Sequence, residues 1–288
     1  ADDEVLVVNT DRSGVNIAYK LGLADGRCVG DLGVSHAISD IVAAGGTPKA
    51  VTVALLLPPD TEIDFVQEVM QGVEDSAIKY GAILAGGDTK QNPKFAMVVT
   101  AIGTAKKTNR LCRSKAKPGD HLVVTGDLGT MLLGTVVHKM GIKTDKTTAS
   151  ILNDALINQN PPFNLGRKIA DAKIATACTD ISDGLAGAVY NLCLPSGVGA
   201  VLDESLIPVN SHLLKIIEHI GARPIQLGLA SGDWQYLYTV PEDKLEDLYE
   251  MARVIGTRVH CVGRVIKEPL VAIKTIEGLF PEPPSLFP

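Results

Sequence analysis

The sequence predicts an α/β protein of two domains, and three observations carry that prediction. Short apolar runs of strand length alternate with segments of helical period. In both halves the strand-like runs end in turns that bear carboxylates, and open α/β sheets bind ligands at the carboxyl ends of their strands. A basic, turn-rich stretch from Lys106 to Asp120, closing on Lys117-Pro118-Gly119-Asp120, separates the halves. A length of 288 residues suits two domains, placed here at 1–112 and 113–288. With 45% hydrophobic and 21% charged residues, the chain can bury a substantial core.

Taken in order, Val5-Leu6-Val7-Val8 reads as a strand ending at Asn9-Thr10-Asp11. Val29 to Gly46 is a small-residue helix stopped by Gly45-Gly46-Thr47-Pro48. It carries Asp40 on an otherwise apolar surface, where a carboxylate needs a partner. Ala50 to Leu57 is a strand closed by Pro58-Pro59, and Ile63 to Tyr80 an amphipathic helix. Ala82 to Ala85 is an apolar run ending in Gly86-Gly87-Asp88-Thr89, where glycines let the backbone turn and let a ligand approach it. Ala96 to Ile102 closes the first half. In the second half, His121 to Thr125 is a strand, Gly126 to Gly129 a turn and Thr130 to Met140 a helix. Asn160-Pro161-Pro162 breaks the chain before a helix over Leu165 to Ala172. Ile174 to Cys178 is a strand ending at Thr179-Asp180-Ile181-Ser182-Asp183-Gly184-Leu185, with a helix running on to Leu192. Strands follow at Val201-Leu202, Tyr236 to Val240 and Val259 to Val265, with helices over Ser211 to His219 and Glu242 to Ile255. The proline-rich tail Pro281 to Pro288 is expected to be extended.

Several function classes are excluded by composition. Net charge is −6, aromatics are 4%, and no basic tract exists, which argues against a nucleic-acid surface. The five cysteines are scattered, odd in number and without a C-x-x-C pair, as expected of reduced thiols in a cytoplasmic protein. No apolar run approaches the ~20 residues of a membrane span. No signal peptide is evident, and a chain that opens on Ala1 without Met is expected to have lost upstream residues.

Asp11, Asp88, Asp180 and Asp183 follow apolar runs, and Asp40 sits on a buried-looking helix. If they converge, two such charges 4 Å apart repel by roughly 4 kcal/mol at an effective dielectric of ~20. Raised pKa values or bound cations must offset that repulsion. Oxygen donors without His or Cys imply a hard ion, Mg²⁺ before Mn²⁺, and such sites usually carry substrate phosphates. Phosphoryl transfer then needs positioning and charge neutralisation rather than a side-chain nucleophile. No Walker lysine motif is present; Gly129 to Thr135 has the spacing without the lysine. Neither G-x-G-x-x-G after a strand nor a G-x-S-x-G elbow occurs.

Five segments also occur in a telling order: Asn9-Thr10-Asp11, Ile38 to Gly46, Gly86-Gly87-Asp88-Thr89, Arg113 to Asp120, and Asp180 to Leu185. In order and approximate spacing the chain resembles the thiamine-monophosphate kinases. These belong to the superfamily of aminoimidazole ribonucleotide synthetase, selenophosphate synthetase and the hydrogenase-maturation carbamoyl dehydratase. The resemblance covers nearly the whole chain. It implies two α/β domains, the amino-terminal ones of two subunits pairing into a shared β-barrel, so a homodimer. It also implies ATP and Mg²⁺ as cofactors, with Thr10, Asp11, Asp40, Asp88, Asp180 and Asp183 holding the metal. Tyr80 would sit at the nucleotide, Gly87 and Asp88 at its phosphates, Arg113 on phosphate oxygens and Ser182 beside the triphosphate. Asp88, Arg113 and Asp180 would form the catalytic set, Arg113 by its bidentate fork.

The departures fall on the acceptor side. A family Glu-Gly-Val-His-Phe run is Ser13-Gly14-Val15-Asn16-Ile17 here, and an Arg-Pro-x-Pro-Arg segment is Asn160-Pro161-Pro162-Phe163-Asn164. A Gly-Gly-Glu-Asp-Tyr-Glu-Leu motif matches Ala230 to Tyr236, keeping Asp233 and an aromatic, Trp234. Losing a His and two Arg removes charged hydrogen bonds worth ~1.5–3 kcal/mol each to a phosphate-bearing acceptor. The expected activity is therefore transfer of the γ-phosphate of ATP to another small molecule, with Asn16, Asp233 and Trp234 as acceptor contacts. Two other readings stay open: ATP-dependent activation of an amide or carbonyl oxygen, as in the purine-synthetase branch, and a nucleotide-binding subunit without turnover. The family's acidic segment before the first strand would correspond to Asp2-Asp3.

Overall fold

A computed structural model describes residues 3–281. Asp2 and the proline-rich segment from Glu282 lie outside the described residues. The chain divides into two compact units, Ala1–Arg110 with Leu156–Phe163, and Leu111–Ala155 with Asn164–Pro288.

In the first unit β1 (Glu4–Ser13) leads through the short α1 (Ile17–Lys20) to α2 (Gly26–Ala43), β2 (Thr47–Leu57), α3 (Ile63–Lys79), β3 (Ile83–Gln91) and β4 (Ala96–Lys106). The strands form an open mixed sheet ordered β1-β4-β2-β3, with β2 and β3 parallel and the other pairs antiparallel. One face of the sheet packs on α2, and α3 packs on α2 in turn. Val29, Leu32, Val34, Ile38 and Ile41 of α2 are all buried, each such side chain worth ~1.5–3 kcal/mol of hydrophobic stabilisation. The other face carries Leu6 and Val8, 68% and 54% exposed.

Two strands run past their expected ends. β1 continues through Asn9-Thr10-Asp11 to Ser13 because it pairs with β4 over its whole length. β3 likewise passes through both glycines to Gln91, pairing in parallel with β2. A bulge absorbs Ala85, since Leu84 pairs with Val51 and Gly86 with Thr52. Gly86 has φ +152, and a Cβ on Gly87 would collide with the carbonyl oxygen of Val53. The glycines therefore serve a bulged strand pair rather than a turn.

The second unit begins with a short 3₁₀ turn at Arg113–Lys115 and then β5 (His121–Thr125) and α4 (Thr130–Met140). α5 (Lys146–Ile157) carries the chain back to the first unit, and α6 (Phe163–Ala172) returns it. There follow β6 (Ala177–Ile181), α7 (Gly184–Ser196), β7 (Gly199–Asp203), α8 (Leu214–His219), α9 (Pro224–Ala230), β8 (Gln235–Val240), α10 (Leu245–Ile255), β9 (Val259–Ile266), β10 (Val271–Thr275) and β11 (Gly278–Pro281). Their seven-stranded mixed sheet is ordered β11-β10-β7-β9-β5-β8-β6, with α7 and α9 over its apolar core.

The sequence reading missed α1, α5, α9, β10 and β11, all of them short except α5. α5 did carry a start signal: Asp145 accepts from the amides of Thr147 and Thr148 and from the Thr148 hydroxyl. β6 lies three residues later than expected, so Thr179 and Asp180 are strand residues within the core. All five cysteines are free thiols. Among the described residues no helix is long and apolar enough to cross a membrane.

Candidate functional site

Each unit presents part of the predicted constellation. In the first, Asn9 reaches from β1 to α2, donating from Nδ2 to Asp40 Oδ2 at 2.9 Å and to the Ala37 carbonyl at 3.3 Å. It supplies the partner that a carboxylate on a small-residue helix requires. Asn9 lies outside the expected site residues, although its place beside Thr10-Asp11 is a usable signal. The Thr10 and Thr100 hydroxyls are 3.0 Å apart across β1 and β4. Asp11 is half-buried and accepts from the Arg12 amide at 2.7 Å. In the sheet register Asp11 stands opposite Val99, whereas Asp88 stands opposite Ala54. Asp88 is exposed, accepts from the Thr89 amide at 2.9 Å and pairs loosely with Lys90 at 3.8 Å.

Tyr80, expected at the nucleotide, lies in the core of the first unit. Its ring packs on Phe163 with centroids 5.5 Å apart, and its hydroxyl donates to Asn160 Oδ1 at 3.2 Å. Burial pushes the phenol up to about 12. Lys79 donates to the same Asn160 oxygen at 2.5 Å. Asn16, expected at the acceptor, accepts from the Tyr19 amide at 2.9 Å as the cap of α1, and its Nδ2 lies 3.6 Å from Cys28 Sγ.

In the second unit the sequence-predicted group does come together. Asp180, 5% exposed, has Arg113 Nη2 at 3.8 Å, Arg113 itself being half-exposed. Burial holds the Asp180 carboxyl above the ordinary carboxylate value; the Ser182 hydroxyl and the Arg113 charge pull it down, and neighbouring Asp183 pushes it up. Asp183 is exposed at the head of α7.

Asp233 and Trp234, expected at the acceptor, sit where β8 begins. Both Asp233 oxygens are engaged at the start of α4: Oδ2 accepts from the Gly129 amide at 2.6 Å and Oδ1 from Met131 at 2.9 Å. Neighbouring Ser231 accepts from the Leu132 amide at 3.1 Å. This is an anion at a helix amino terminus, where the dipole and unpaired amides favour it. Burial pushes the carboxyl up against those bonds. Trp234 adopts φ +56, a left-handed backbone uncommon outside glycine, with its amide donating to the Ile181 carbonyl at 3.1 Å.

Among the described residues no three His, Cys, Asp or Glu side chains stand together as a ready-made metal cage. The donors are all oxygens, and a buried Asp180 beside Asp183 is a carboxylate that a cation would stabilise. That fits Mg²⁺, which takes one or two carboxylates while keeping waters and substrate phosphates.

Comparison with known proteins follows the same division. The fold defines the class, a two-unit α/β protein with a mixed sheet in each unit. Residues 1–105 match the amino-terminal domain of AIR synthase related proteins, and residues 117–275 match the carboxy-terminal domain. The second match alone spans more than half of the chain, and the chain belongs to the AIR synthase related family. A thiamine-monophosphate kinase of Pyrococcus horikoshii is 32% identical over 81% of this chain and 72% of its own length. The thiamine-monophosphate kinase of Stenotrophomonas maltophilia shares the fold at a TM-score of 0.84, with 24% identity, 94% of this chain and 85% of that one covered. AaThiL complexed with AMPPCP and TMP gives a TM-score of 0.80 at 25% identity, covering 97% and 87%. The chain is thus a thiamine-monophosphate kinase-like enzyme, on the kinase side of its family.

Proposed function

We propose that this chain is a Mg²⁺-dependent phosphotransferase that moves the γ-phosphate of ATP to a small-molecule acceptor other than thiamine monophosphate. The observation that carries this reading is Asp180: a carboxylate kept in the core beside Asp183, with an arginine at its edge, has a use for a cation and a phosphate. Binding of AMPPCP by a relative of the same fold supports ATP as the donor. Asp180 and Asp183 would hold Mg²⁺ in the second unit, and within the first unit Thr10, Asp11, Asp40 and Asp88 are oxygen donors of the same kind. The ion would supply charge neutralisation on the phosphate oxygens. Arg113 would turn its fork onto those oxygens, Ser182 would donate to them, and Gly87 would keep the strand free of a side chain where a phosphate approaches Asp88. An acceptor oxygen attacks the γ-phosphorus in line, without a side-chain nucleophile.

The acceptor assignment rests on the missing cations. Asn16, Asn160 and Asn164 stand where the kinase pattern has a His and two Arg, and none of the three can bring a charge to a phosphate-bearing acceptor. Residues 1–112 would form the nucleotide-binding and dimerising domain, 113–288 the second α/β domain. The exposed apolar residues on the open face of the first sheet suit pairing with a second copy into a β-barrel. ATP turnover with Mg²⁺, screened over vitamin, nucleotide and amino-acid acceptors with ³¹P detection, tests the reading. A phosphorylated product from an acceptor without a phosphate supports it; turnover with thiamine monophosphate alone overturns the acceptor assignment. Binding of ATP without ADP release from any acceptor overturns the activity.

A further inference from the structure

The strand pair β5–β9 carries a side-chain relay that phosphotransfer does not use. His121 on β5 is buried, with Nε2 2.8 Å from Oε2 of Glu242 and Nδ1 3.3 Å from Sγ of Cys261 on β9. Arg264 donates from Nη2 to the same Glu242 oxygen at 2.6 Å. A carboxylate only accepts, so Glu242 keeps a proton on Nε2 of His121, and the lone pair of Nδ1 faces the thiol. Nucleophile, base and orienting acid thus stand in the order that activates a thiol.

The sheet is locally deformed to make this contact. Opposite β5, Arg264 pairs with His121 and Gly263 with Leu122, but Cys261 rather than Val262 pairs with Val123. That bulge turns Val262 into the core and brings Cys261 to the side of the sheet that His121 occupies. The Gly263 carbonyl, 3.6 Å from Cys261 Sγ, is a second acceptor for the thiol's one hydrogen. Tyr249 on α10 has its phenol pushed up by burial first, then by the charges of Cys261 and Glu246. Cys28, Cys178 and Cys193 are buried; Cys112 and Cys261 are partly exposed.

We propose that Cys261 is a nucleophilic thiol and a covalent modification site for small hydroperoxides, with His121 as its base and Glu242 as the residue that positions His121. The thiol proton passes to Nδ1, and the thiolate sulfur attacks the terminal oxygen of the hydroperoxide. The O–O bond breaks, and the departing alkoxide or hydroxide recovers the proton from Nδ1 as alcohol or water. Sulfur is oxidised to the sulfenic acid while the peroxide is reduced, so atoms and electrons balance.

The test labels the intact protein with iodoacetamide just below neutral pH and reads each cysteine by peptide mass spectrometry, with Cys112 as the internal reference. Cys261 is expected to react about ten-fold faster than Cys112. His121→Asn should bring it to the Cys112 rate, and Glu242→Gln should slow it about three-fold or more by releasing the tautomer. Glu242 is 69% exposed, so its variant keeps the fold if His121→Asn does not. Dilute hydrogen peroxide followed by dimedone should place the sulfenic adduct on Cys261. Labelling of Cys261 no faster than Cys112, an unchanged rate in Glu242→Gln, or dimedone spread evenly over both cysteines would overturn the proposal.

Discussion

Asp233→Ala separates a structural from an acceptor-binding use of the loop before β8. The carboxylate holds two amides of α4, Gly129 at 2.6 Å and Met131 at 2.9 Å. Hydrogen bonds to a charged group contribute ~1.5–3 kcal/mol each, so two give about 3–6 kcal/mol. Burial lifts this carboxyl toward its neutral form and so weakens the charge-assisted bonds, which brings the expected loss to about 2–4 kcal/mol. Trp234 is the sole tryptophan and lies next in sequence, so its fluorescence reports unfolding of the second unit. At a urea slope of ~2 kcal/mol/M, the midpoint should fall by about 1–2 M. Asp233→Asn keeps one acceptor oxygen but turns an amide donor toward the other N–H, and should lose about half as much. If Asp233 only clamps α4, KM for the phosphate acceptor stays unchanged in both variants below their melting range. A midpoint shift under about 0.3 M together with a raised acceptor KM would refute the clamp and assign Asp233 to the acceptor.

Asp88→Asn and Asp180→Asn should each lower Mg²⁺-dependent ATP turnover by about 10²-fold or more with an unchanged far-ultraviolet circular dichroism spectrum; retained turnover removes them from the metal set. Burial raises the Asp180 carboxyl, so the unfolded chain releases that proton at lower pH than the native one. Without Mg²⁺, stability should therefore fall as pH rises from the ordinary carboxylate value through the raised one, and Asp180→Asn should flatten that slope in pH-resolved thermal melts. Gly87→Ala places a methyl group against the Val53 carbonyl and should cost about 1–3 kcal/mol in denaturant titrations while weakening ATP binding by calorimetry. Leu6→Glu with Val8→Glu puts charge on the open face of the first sheet; light scattering should then find a monomer, against the dimer expected of the parent chain.

What the sequence made legible follows the strength of local signals. α2 was readable as a long run of apolar and small residues ending at a glycine stop, and α3 by its apolar stripe, and their boundaries moved by only a few residues. Short elements such as α9 and β10 gave too few residues for a period to emerge. The strand ends failed for a different reason. Gly86-Gly87 reads as a turn locally, yet pairing with β2 carries the strand through, and the bulge at Ala85 is a fact of two strands rather than one. In the site, Asp180 with Ser182, Asp183 and Arg113 came together because three of the four are adjacent in sequence. The use of Tyr80 was not legible, since its partners Asn160 and Phe163 arrive from about 80 residues away.

Three residues on the acceptor side share one physical feature: each has its polar group already engaged inside its own unit. Asn16 caps α1, Asn160 receives both Tyr80 and Lys79, and Asp233 holds the start of α4. A neutral asparagine can meet its hydrogen-bonding needs this way at little cost, because its amide both donates and accepts. An arginine or histidinium could not be turned inward among donors, since it has no acceptor to offer them and its charge needs an anion. Replacing His and Arg by Asn thus does more than delete contacts to an anionic acceptor. It lets the surrounding backbone and side chains close on the position, so restoring one cation alone would meet amide donors before it met a phosphate. Asn16→His by itself should accordingly leave thiamine monophosphate turnover undetected and uncap α1. Recovery of that turnover by the single change would show that position 16 still faces the acceptor.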